Sequence, residues 1–201
     1  MKQKIKSEHT QQLIIAKASG LFYRKGFQAT GIPEIMQTTQ LSKGAFYHHF
    51  KNKNEVCLAV IAQSLQQRIN DSMIRPLLNN DENTIGILKD VFTSRLRSFN
   101  RSEKQSGCPV NNLINEIGDK EINCQSALRQ IIEEWKAALT TLIEKGKQKG
   151  EISAGVNSTA SATFLISAFE GIRGIRKLYN DDRILEDYLT AVQNYIEQLK
   201  S

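Results

Sequence analysis

The stretch LSKGAFYHHFKNKNEV, residues 41–56, decides the fold of the N-terminal part of the chain. Ser42 is placed to cap a short helix, and Leu41 and Phe46 occupy the two positions of a hydrophobic staple. Phe46 and Phe50 lie four residues apart, which predicts that both point into a small core. The opposite face of the helix then carries lysine, glycine, tyrosine and histidine, without a carboxylate.

The residues before this stretch predict two further helices. An apolar stripe at Ile14, Ala18 and Leu21 indicates a first helix that ends at Gly26, after two basic residues. Pro33 suits the first turn of a second, short helix, where its missing N–H costs nothing. Two short helices joined by a tight turn and backed by a longer helix form a helix-turn-helix unit.

Helical periodicity continues through the rest of the chain, so the predicted fold class is all-α. Asn52 and Glu55 have the spacing of a capping box and are expected to open a fourth helix. This helix is expected to end before Pro76, because proline breaks a helix interior. Residues 101–107 are expected to form a loop, and Asp182 is expected to cap the last helix.

Positive charge is concentrated at the N-terminal end of the sequence. The formal net charge is +6, and residues 1–53 hold nine basic against two acidic residues, a balance of +7. The rest of the chain holds 18 basic and 19 acidic residues, a balance of −1. A basic module joined to a near-neutral body indicates either that the first part meets a polyanion or that its charge only makes the surface more soluble.

Composition and cysteine spacing argue against several classes of protein. The 40% hydrophobic and 24% charged residues are typical of an ordinary globular protein. No apolar run approaches the roughly 18 residues of a membrane span, and no signal peptide is recognised, so we expect a cytoplasmic protein. Cys57, Cys108 and Cys124 are odd in number and widely spaced, which argues against a disulfide framework or a zinc ribbon. We expect no cofactor.

The adjacent histidines His48 and His49 raise the question of metal binding or catalysis. Neighbouring helical residues diverge by about 100°, whereas chelation needs residues three or four apart, so no metal site is expected. His48 should point outward and His49 towards the flank of the helix. All three histidines lie in the first 49 residues, which leaves no nucleophile–base set around Cys108, so we expect no catalytic residues and no enzyme. A helical thiol enzyme is the remote alternative.

The exposed face of the third helix suits double-stranded DNA. Lys43 can reach a phosphate or a guanine edge, and Gly44 lets the backbone approach closely. Tyr47 can donate to a phosphate, and His48 can bond a phosphate or a base. Lys53, at the start of the next helix, is expected to add a phosphate contact.

Residues 7–56 resemble the N-terminal DNA-binding module of TetR-family transcriptional regulators. The family pattern is Gly-Phe after a basic helix end, then T-x-I-x-x-I, then L-S-K-G-x-F-Y-x-H-F-x-x-K-x-x-V/L. It is matched at Gly26, Phe27, Thr30, Ile32, Ile35, residues 41–50, Lys53 and Val56. The sequence departs from the pattern in the turn, where Gln40 replaces the usual glycine, and at the second helix, where Gly31 and Pro33 replace polar residues.

The resemblance implies a ligand-responsive repressor that binds a palindromic operator as a homodimer and is released by a small-molecule effector. It implies a helix-turn-helix domain of residues 1–52 and an effector-binding and dimerisation domain of residues 53–201. It also adds Thr30, Ser42 and Ala45 to the DNA-binding residues.

Three features of the C-terminal part have two interpretations each. Four apolar residues at helical spacing are expected either to line an effector pocket or to be plain core: Phe92, Leu96, Phe99 and Trp135. Cys108 precedes Pro109 at a predicted helix N-terminus, where the dipole lowers a thiol pKa, so it is either a redox or electrophile sensor or a packed residue. The small residues of 158–178 suit either close packing against a second subunit or packing on the body.

Overall fold

The computed structural model describes residues 2–79, 83–117 and 121–201, and over these ranges the chain is helical. The helices are α1 (Lys2–Lys25), α2 (Ile32–Thr39), α3 (Lys43–His49), α4 (53–78), α5 (84–98), α6 (Arg101–Ser106), α7 (Pro109–Ile117), α8 (Ile122–Gln148), α9 (Ser158–Ile175) and α10 (Arg183–Gln198). Extended pairing within the described residues is limited to one isolated antiparallel bridge, Ile152 with Lys200. The predicted all-α fold class is confirmed.

The chain divides into two compact units that are each built from two stretches of sequence. Unit 1 comprises Met1–Arg68 and Pro109–Gln130, and unit 2 comprises Ile69–Cys108 and Ile131–Ser201. Two of the three divisions fall inside α4 and α8, and the third lies between α6 and α7. Unit 1 therefore contains α7 and the first part of α8 in addition to the three N-terminal helices. The domain boundary between residues 52 and 53 stays a prediction.

The core of unit 1 is formed by the apolar stripe of α1 and the residues that pack against it. Ile14, Ala18 and Leu21 are buried as their spacing predicted. Gly26 ends α1 with a φ of +93°, a backbone conformation that favours glycine. The next residue, Phe27, then folds back so that its ring lies edge-to-face on that of Phe22, with 5.3 Å between the centroids.

Helix α4 continues through Pro76 to Leu78, so the prediction that it ends before the proline was wrong. Two of its turns, Ile61–Leu65 and Asn70–Ile74, are wider π turns. A π turn shifts the hydrogen-bond register by one residue, and the turn that follows it accepts a residue without an N–H. Burial of Leu77 holds this last turn in place.

Residues 101–106 form helix α6 rather than the predicted loop. The Asn100 side chain accepts the Glu103 N–H at 3.0 Å, and the Glu103 carboxylate accepts the Asn100 N–H at 3.1 Å. This reciprocal capping box satisfies two of the free donors at a helix start, so a polar six-residue segment can become helical.

Asp182 precedes α10 but does not cap it through its side chain, which corrects the prediction. Its carboxylate instead accepts from Lys104 Nζ at 2.7 Å and from Arg176 Nε at 2.9 Å. These two cations lower the pKa of Asp182. The Asp182 carboxylate therefore links α6 to the residue that follows α9, and it accepts no backbone N–H at the start of α10.

The core of unit 2 is built around three aromatic rings. Phe92 lies parallel to Trp135, with 6.4 Å between centroids, and Phe169 stands edge-on to both at 5.8 Å. All three side chains are buried. Among the described residues, no helix is long and apolar enough to cross a membrane.

Candidate nucleic-acid interface

Helix α3 exposes the face that the sequence predicted. Its exposed side chains are Ser42, Lys43, Tyr47 and His48, and Ala45 is half-buried. Gly44 also faces open space, because a Cβ built on it would meet no atom within 4 Å. The surface thus offers an ammonium, a phenol, an imidazole and an accessible stretch of backbone, all of which can contact a phosphate or a base edge.

Two features fix α3 in unit 1. Ser42 Oγ accepts the Ala45 N–H at 3.2 Å, so the helix begins with a side-chain cap. On the inner face, Phe46 and Phe50 are buried with ring centroids 6.2 Å apart. The cap sets where the helix begins, and the two rings set which face points outward.

The start of α4 is fixed in the same way. Asn52 Oδ1 accepts the Glu55 N–H at 2.9 Å, as the sequence predicted. The Glu55 carboxylate accepts the N–H of Lys51 at 2.8 Å rather than that of Asn52. Both ends of the segment from α3 to α4 are therefore held by local hydrogen bonds.

The turn between α2 and α3 contains the unusual residue of this region. Gln40 has a φ of +57° and a ψ of +28°, and its N–H bonds the carbonyl of Gln37 at 3.3 Å. It is the one non-glycine residue of the described chain with positive φ. A side chain in this left-handed conformation is disfavoured, so the replacement of glycine leaves a local strain in the turn.

The two histidines point in different directions. His48 is exposed and His49 is half-buried, and their rings stand edge-on with 5.1 Å between centroids. Burial, and then the charge of His48, lower the pKa of His49. Among the described residues no group of three or more potential metal ligands occurs.

The DNA contact of Thr30 stays a prediction, and its side chain points into unit 1. The side chain is fully buried, and its hydroxyl donates to the Gly26 carbonyl at 2.7 Å. Its backbone N–H donates a hydrogen bond to the Phe27 carbonyl at 3.3 Å. Thr30 therefore shapes the turn between α1 and α2.

Lys53 has an internal partner instead of a free ammonium. Its Nζ donates to the Phe27 carbonyl at 2.9 Å and lies 4.3 Å from the centroid of the Phe27 ring. A charged hydrogen bond and a cation–π contact on one residue hold α4 to the turn between α1 and α2. This arrangement differs from the phosphate contact predicted for Lys53.

The same turn is held from a distant part of the chain. The Glu116 carboxylate, on α7, accepts the backbone N–H of Gln28 at 2.9 Å. A Cβ built on Gly26 would come within 2.7 Å of this carboxylate, so a larger residue would displace the Glu116 side chain, and the positive φ of Gly26 independently favours glycine. Sequence reasoning missed Glu116, because 88 residues separate it from Gln28 and no local pattern marks the contact.

Helix α2 carries the only acidic residue between residues 26 and 54, Glu34. Its carboxylate forms an ion pair with Lys25, at the end of α1. The pair neutralises the one carboxylate of the helix-turn-helix segment, so the surface around α3 remains positive.

Two family profiles match this sequence. The profile "Bacterial regulatory proteins, tetR family" matches residues 14–60, and "Tetracyclin repressor-like, C-terminal domain" matches residues 85–192, more than half of the chain. The chain belongs to the TetR family. The identity inferred from residues 7–56 is thereby confirmed, and the TetR-family protein is a ligand-responsive transcriptional regulator.

The similar proteins are named transcriptional regulators, and one of those below is named a repressor. An uncharacterized HTH-type transcriptional regulator of Lactococcus lactis is 26% identical over 95% of both chains. The transcriptional regulator AcuR of Cereibacter sphaeroides is 29% identical over 73% of this chain and 67% of its own. The HTH-type transcriptional repressor NemR of Escherichia coli K12 is 24% identical over 94% of this chain and 96% of its own.

Solved structures share the fold over nearly the whole chain. A TetR transcriptional regulator from Chloroflexus aurantiacus has a TM-score of 0.83 at 27% identity, covering 97% of this chain and 98% of its own. The reduced form of E. coli NemR has a TM-score of 0.81 at 21% identity, covering 96% and 97%. The predicted arrangement of a helix-turn-helix followed by a helical C-terminal part is confirmed.

The four residues predicted to line an effector pocket in this TetR-family chain fall into two groups. Leu96 and Phe99 line a cavity of about 10 Å³ in unit 2, together with Arg173, whose guanidinium lies 4.6 Å from the Phe99 ring centroid. Phe92 and Trp135 belong to the aromatic core and are not among the lining residues. A cavity of this size holds one water molecule rather than an effector.

Cys108 lies buried in unit 2, directly before α7. The preceding Gly107 has a φ of +75°, and its carbonyl accepts from the Arg173 guanidinium at 2.8 Å. Cys108 lies beside the carboxyl group of Glu170, whose pKa is raised by burial. The thiol is therefore buried beside a carboxyl group and is not exposed at the helix start.

Proposed function

We propose that this TetR-family regulator is a homodimeric repressor that binds a palindromic operator through α3 and is released by a small-molecule effector. One observation carries the proposal: α3 is capped and anchored so that a carboxylate-free face of Lys43, Gly44, Tyr47 and His48 is exposed. Such a face fits the major groove, where lysine, tyrosine and histidine contact phosphates and base edges.

The side chains have different parts in this proposal. Lys43 and Tyr47 contact phosphates and fix the register, and His48 reaches a base edge. Ser42 and Ala45 flank the contact, and Gly44 lets the backbone approach the duplex. Thr30 and Lys53 act from inside unit 1 by holding the turn before α2.

Dimerisation is proposed to involve α9 and α10. Phe164 and Ile175 on α9 are each 49% exposed, and Phe164 packs against Tyr195 of α10 with 4.3 Å between centroids. Gly171 and Gly174 face open space, which allows another helix to approach closely. A surface of exposed apolar and small residues supports a symmetric helical interface, and a twofold protein reads two half-sites.

The effector is proposed to bind in unit 2 beside Leu96 and Phe99. Because the cavity there is only about 10 Å³, binding requires it to open. An effector that binds the open form better than the closed form shifts the population towards the open form. It releases DNA if the open form has the lower operator affinity.

The proposal is tested by selecting a duplex from a random library and measuring its binding by fluorescence anisotropy. A selected sequence with two inverted half-sites, bound by two chains, is expected. Lys43→Ala and Tyr47→Ala should each weaken binding about tenfold or more, because each removes a hydrogen bond to a charged phosphate worth about 1.5–3 kcal/mol. The salt dependence should also weaken for Lys43→Ala, by about one counterion.

Lys145→Ala supplies the matched control, since Lys145 is an exposed lysine of unit 2. It should leave the operator affinity unchanged within error. Unchanged affinity in both α3 variants, with helical content preserved by circular dichroism, would sink the proposal.

A second candidate function is a thiol-based sensor acting through Cys108, which lies directly before α7 and beside the Glu170 carboxyl group. Treatment with N-ethylmaleimide should then weaken operator binding, and Cys108→Ser should remove that response. An equal response in the Cys108→Ser protein would exclude Cys108 as the sensor.

A further inference from the structure

The cavity of unit 2 beside Leu96 and Phe99 has more positive than negative charge in its lining. Four charged residues contribute to this lining: Glu103, Lys104, Arg173 and Arg176. Asp182 compensates part of the charge, because its carboxylate accepts from Lys104 at 2.7 Å and from Arg176 at 2.9 Å. Three cations thus face two carboxylates, which leaves one positive charge in excess.

Arg173 carries the charge that has no counterion. The residue is 7% exposed, and its guanidinium donates to the Gly107 carbonyl at 2.8 Å. Its Nε is shielded from solvent without a hydrogen-bond partner, and no carboxylate of the described residues forms an ion pair with the guanidinium. The rings of Phe99 and Phe169, at 4.6 and 5.7 Å, stabilise the cation but carry no negative charge. A buried cation is normally paired, because its lost hydration is otherwise uncompensated, so this cavity is short of one anion.

Glu170, the one acidic residue of α9, lies one helical turn before Arg173 but does not supply this anion. Its two carboxyl oxygens are buried and form no hydrogen bond with the guanidinium. Burial raises the pKa of Glu170, although the charge of Arg173 acts in the opposite direction. The raised pKa favours the neutral acid, so the charge of Arg173 is left for another group to balance.

A carboxylate with an apolar body fits these features. A water molecule fits a cavity of about 10 Å³ and can accept from Nε, but it adds no negative charge. A carboxylate is planar and accepts two parallel N–H groups of a guanidinium, which makes this pair stronger than a neutral hydrogen bond. The rest of the lining is apolar and suits a hydrocarbon chain or ring: Leu96, Phe99, Ile172 and Leu185.

Helix α6 is the wall of the cavity that can move to admit such a ligand. It supplies Glu103 and Lys104 to the lining, yet none of its six residues is buried. A segment with few buried contacts opens at a lower free energy than the core does. The side chain of Lys104 is 18% exposed where it pairs with Asp182, so its ammonium can turn towards an entering carboxylate.

We propose that unit 2 binds a monocarboxylate with an apolar chain or ring, and that this ligand is the effector. Its carboxylate accepts from Arg173 Nε and from Lys104, and its apolar part contacts Leu96 and Phe99. The role as effector rests on the proposed release of DNA, whereas the binding to unit 2 does not. Because the carboxylate supplies the missing counterion, it should bind more tightly than a neutral molecule of the same shape.

The test is isothermal titration calorimetry of the full chain, without DNA, with two matched pairs of probes. Hexanoate is compared with hexanol and benzoate with benzyl alcohol, so that each pair shares its apolar part and differs in charge. At least one carboxylate should bind about tenfold more tightly than its alcohol, because a charged hydrogen bond adds to its affinity. Inorganic phosphate, an anion without an apolar part, should bind more weakly than that carboxylate.

Arg173→Met removes the charge and Nε but keeps an unbranched apolar side chain against Phe99. It should remove the preference for the carboxylate and leave the affinity for the alcohol unchanged within error. Lys104→Met, at a half-buried position, should weaken carboxylate binding severalfold, and it replaces Arg173→Met if circular dichroism shows that protein to be unfolded. Arg97→Met is the matched control, because Arg97 is an exposed arginine of unit 2 that pairs with Glu186 at 3.1 Å. It should bind the carboxylate as the wild type does.

Two results overturn the binding site. The first is that neither carboxylate binds more tightly than its alcohol and than phosphate. The second is that the preference persists in folded Arg173→Met or, where that protein does not fold, persists at wild-type strength in Lys104→Met.

Operator binding, measured by fluorescence anisotropy, tests the role as effector separately. A saturating carboxylate should lower the operator affinity about fivefold or more. A carboxylate that binds through Arg173 but leaves the operator affinity unchanged overturns its role as effector. Unchanged operator affinity in the α3 variants would contradict the proposed function instead and would leave the calorimetric result standing.

Discussion

The position of Lys53 gives a prediction that separates an internal contact from a DNA contact. Lys53→Met keeps most of the aliphatic stem but removes the ammonium group, which donates a hydrogen bond to the Phe27 carbonyl at 2.9 Å. A hydrogen bond to a charged group contributes about 1.5–3 kcal/mol, and a cation–π contact at a partly exposed site about 0.5–1 kcal/mol. We expect the free energy of unfolding to fall by about 2–3 kcal/mol, the sum being reduced because one ammonium makes both contacts.

The salt dependence of DNA binding distinguishes an internal contact of Lys53 from a contact with a phosphate. Loss of a phosphate contact would reduce the slope of log Kobs against log salt by about 0.9. Because Lys53 is directed at the Phe27 carbonyl, we expect the slope of Lys53→Met to equal that of the wild type within error. Affinity is measured by fluorescence anisotropy between about 50 and 200 mM salt, and stability is measured by urea unfolding followed by circular dichroism.

Lys51→Met is the matched control, because Lys51 is an exposed lysine two positions earlier. It should leave the urea midpoint unchanged. The reasoning is refuted if Lys53→Met has wild-type stability and a salt slope reduced by about one, since that pair of results describes a phosphate contact.

Two further substitutions test other features. Gln40→Gly should stabilise the protein to urea by about 0.5–1 kcal/mol, because relief of the left-handed strain outweighs the added backbone entropy; a lower midpoint would contradict this. Glu34→Gln should tighten DNA binding at low salt and leave stability within about 1 kcal/mol, because it frees Lys25 and adds positive charge; weaker binding would count against it.

The parts of the fold that the sequence predicted are those set by local signals. The start of α3 follows from Ser42, its buried face from the spacing of Phe46 and Phe50, and the start of α4 from Asn52. Each of these signals acts within four residues, so it can be read along the chain. The exposed face of α3 followed from the same residues.

The predictions that were wrong or missing concern segments whose composition is misleading and contacts between residues that are far apart in the sequence. The capping box of Asn100 and Glu103 is present in the sequence, but the polar composition of residues 101–106 suggested a loop. Pro76 alone predicts a helix end, because the π turn that precedes it has no simple sequence signal. The partner of Lys53 lies 26 residues away, so no spacing rule could have shown it.

The hydrogen bond between Glu116 and the Gln28 backbone bears on how DNA specificity can be exchanged between related regulators. A chimaera that transplants residues 1–52 into another TetR-family body carries α3 but leaves Gln28 to whatever residue the recipient has at the position of Glu116. Because unit 1 also contains Pro109–Gln130, two separate stretches of sequence have to be moved together. The helix-turn-helix of this protein thus depends on two separate stretches of sequence. Recombination at a single crossover point would separate these two stretches.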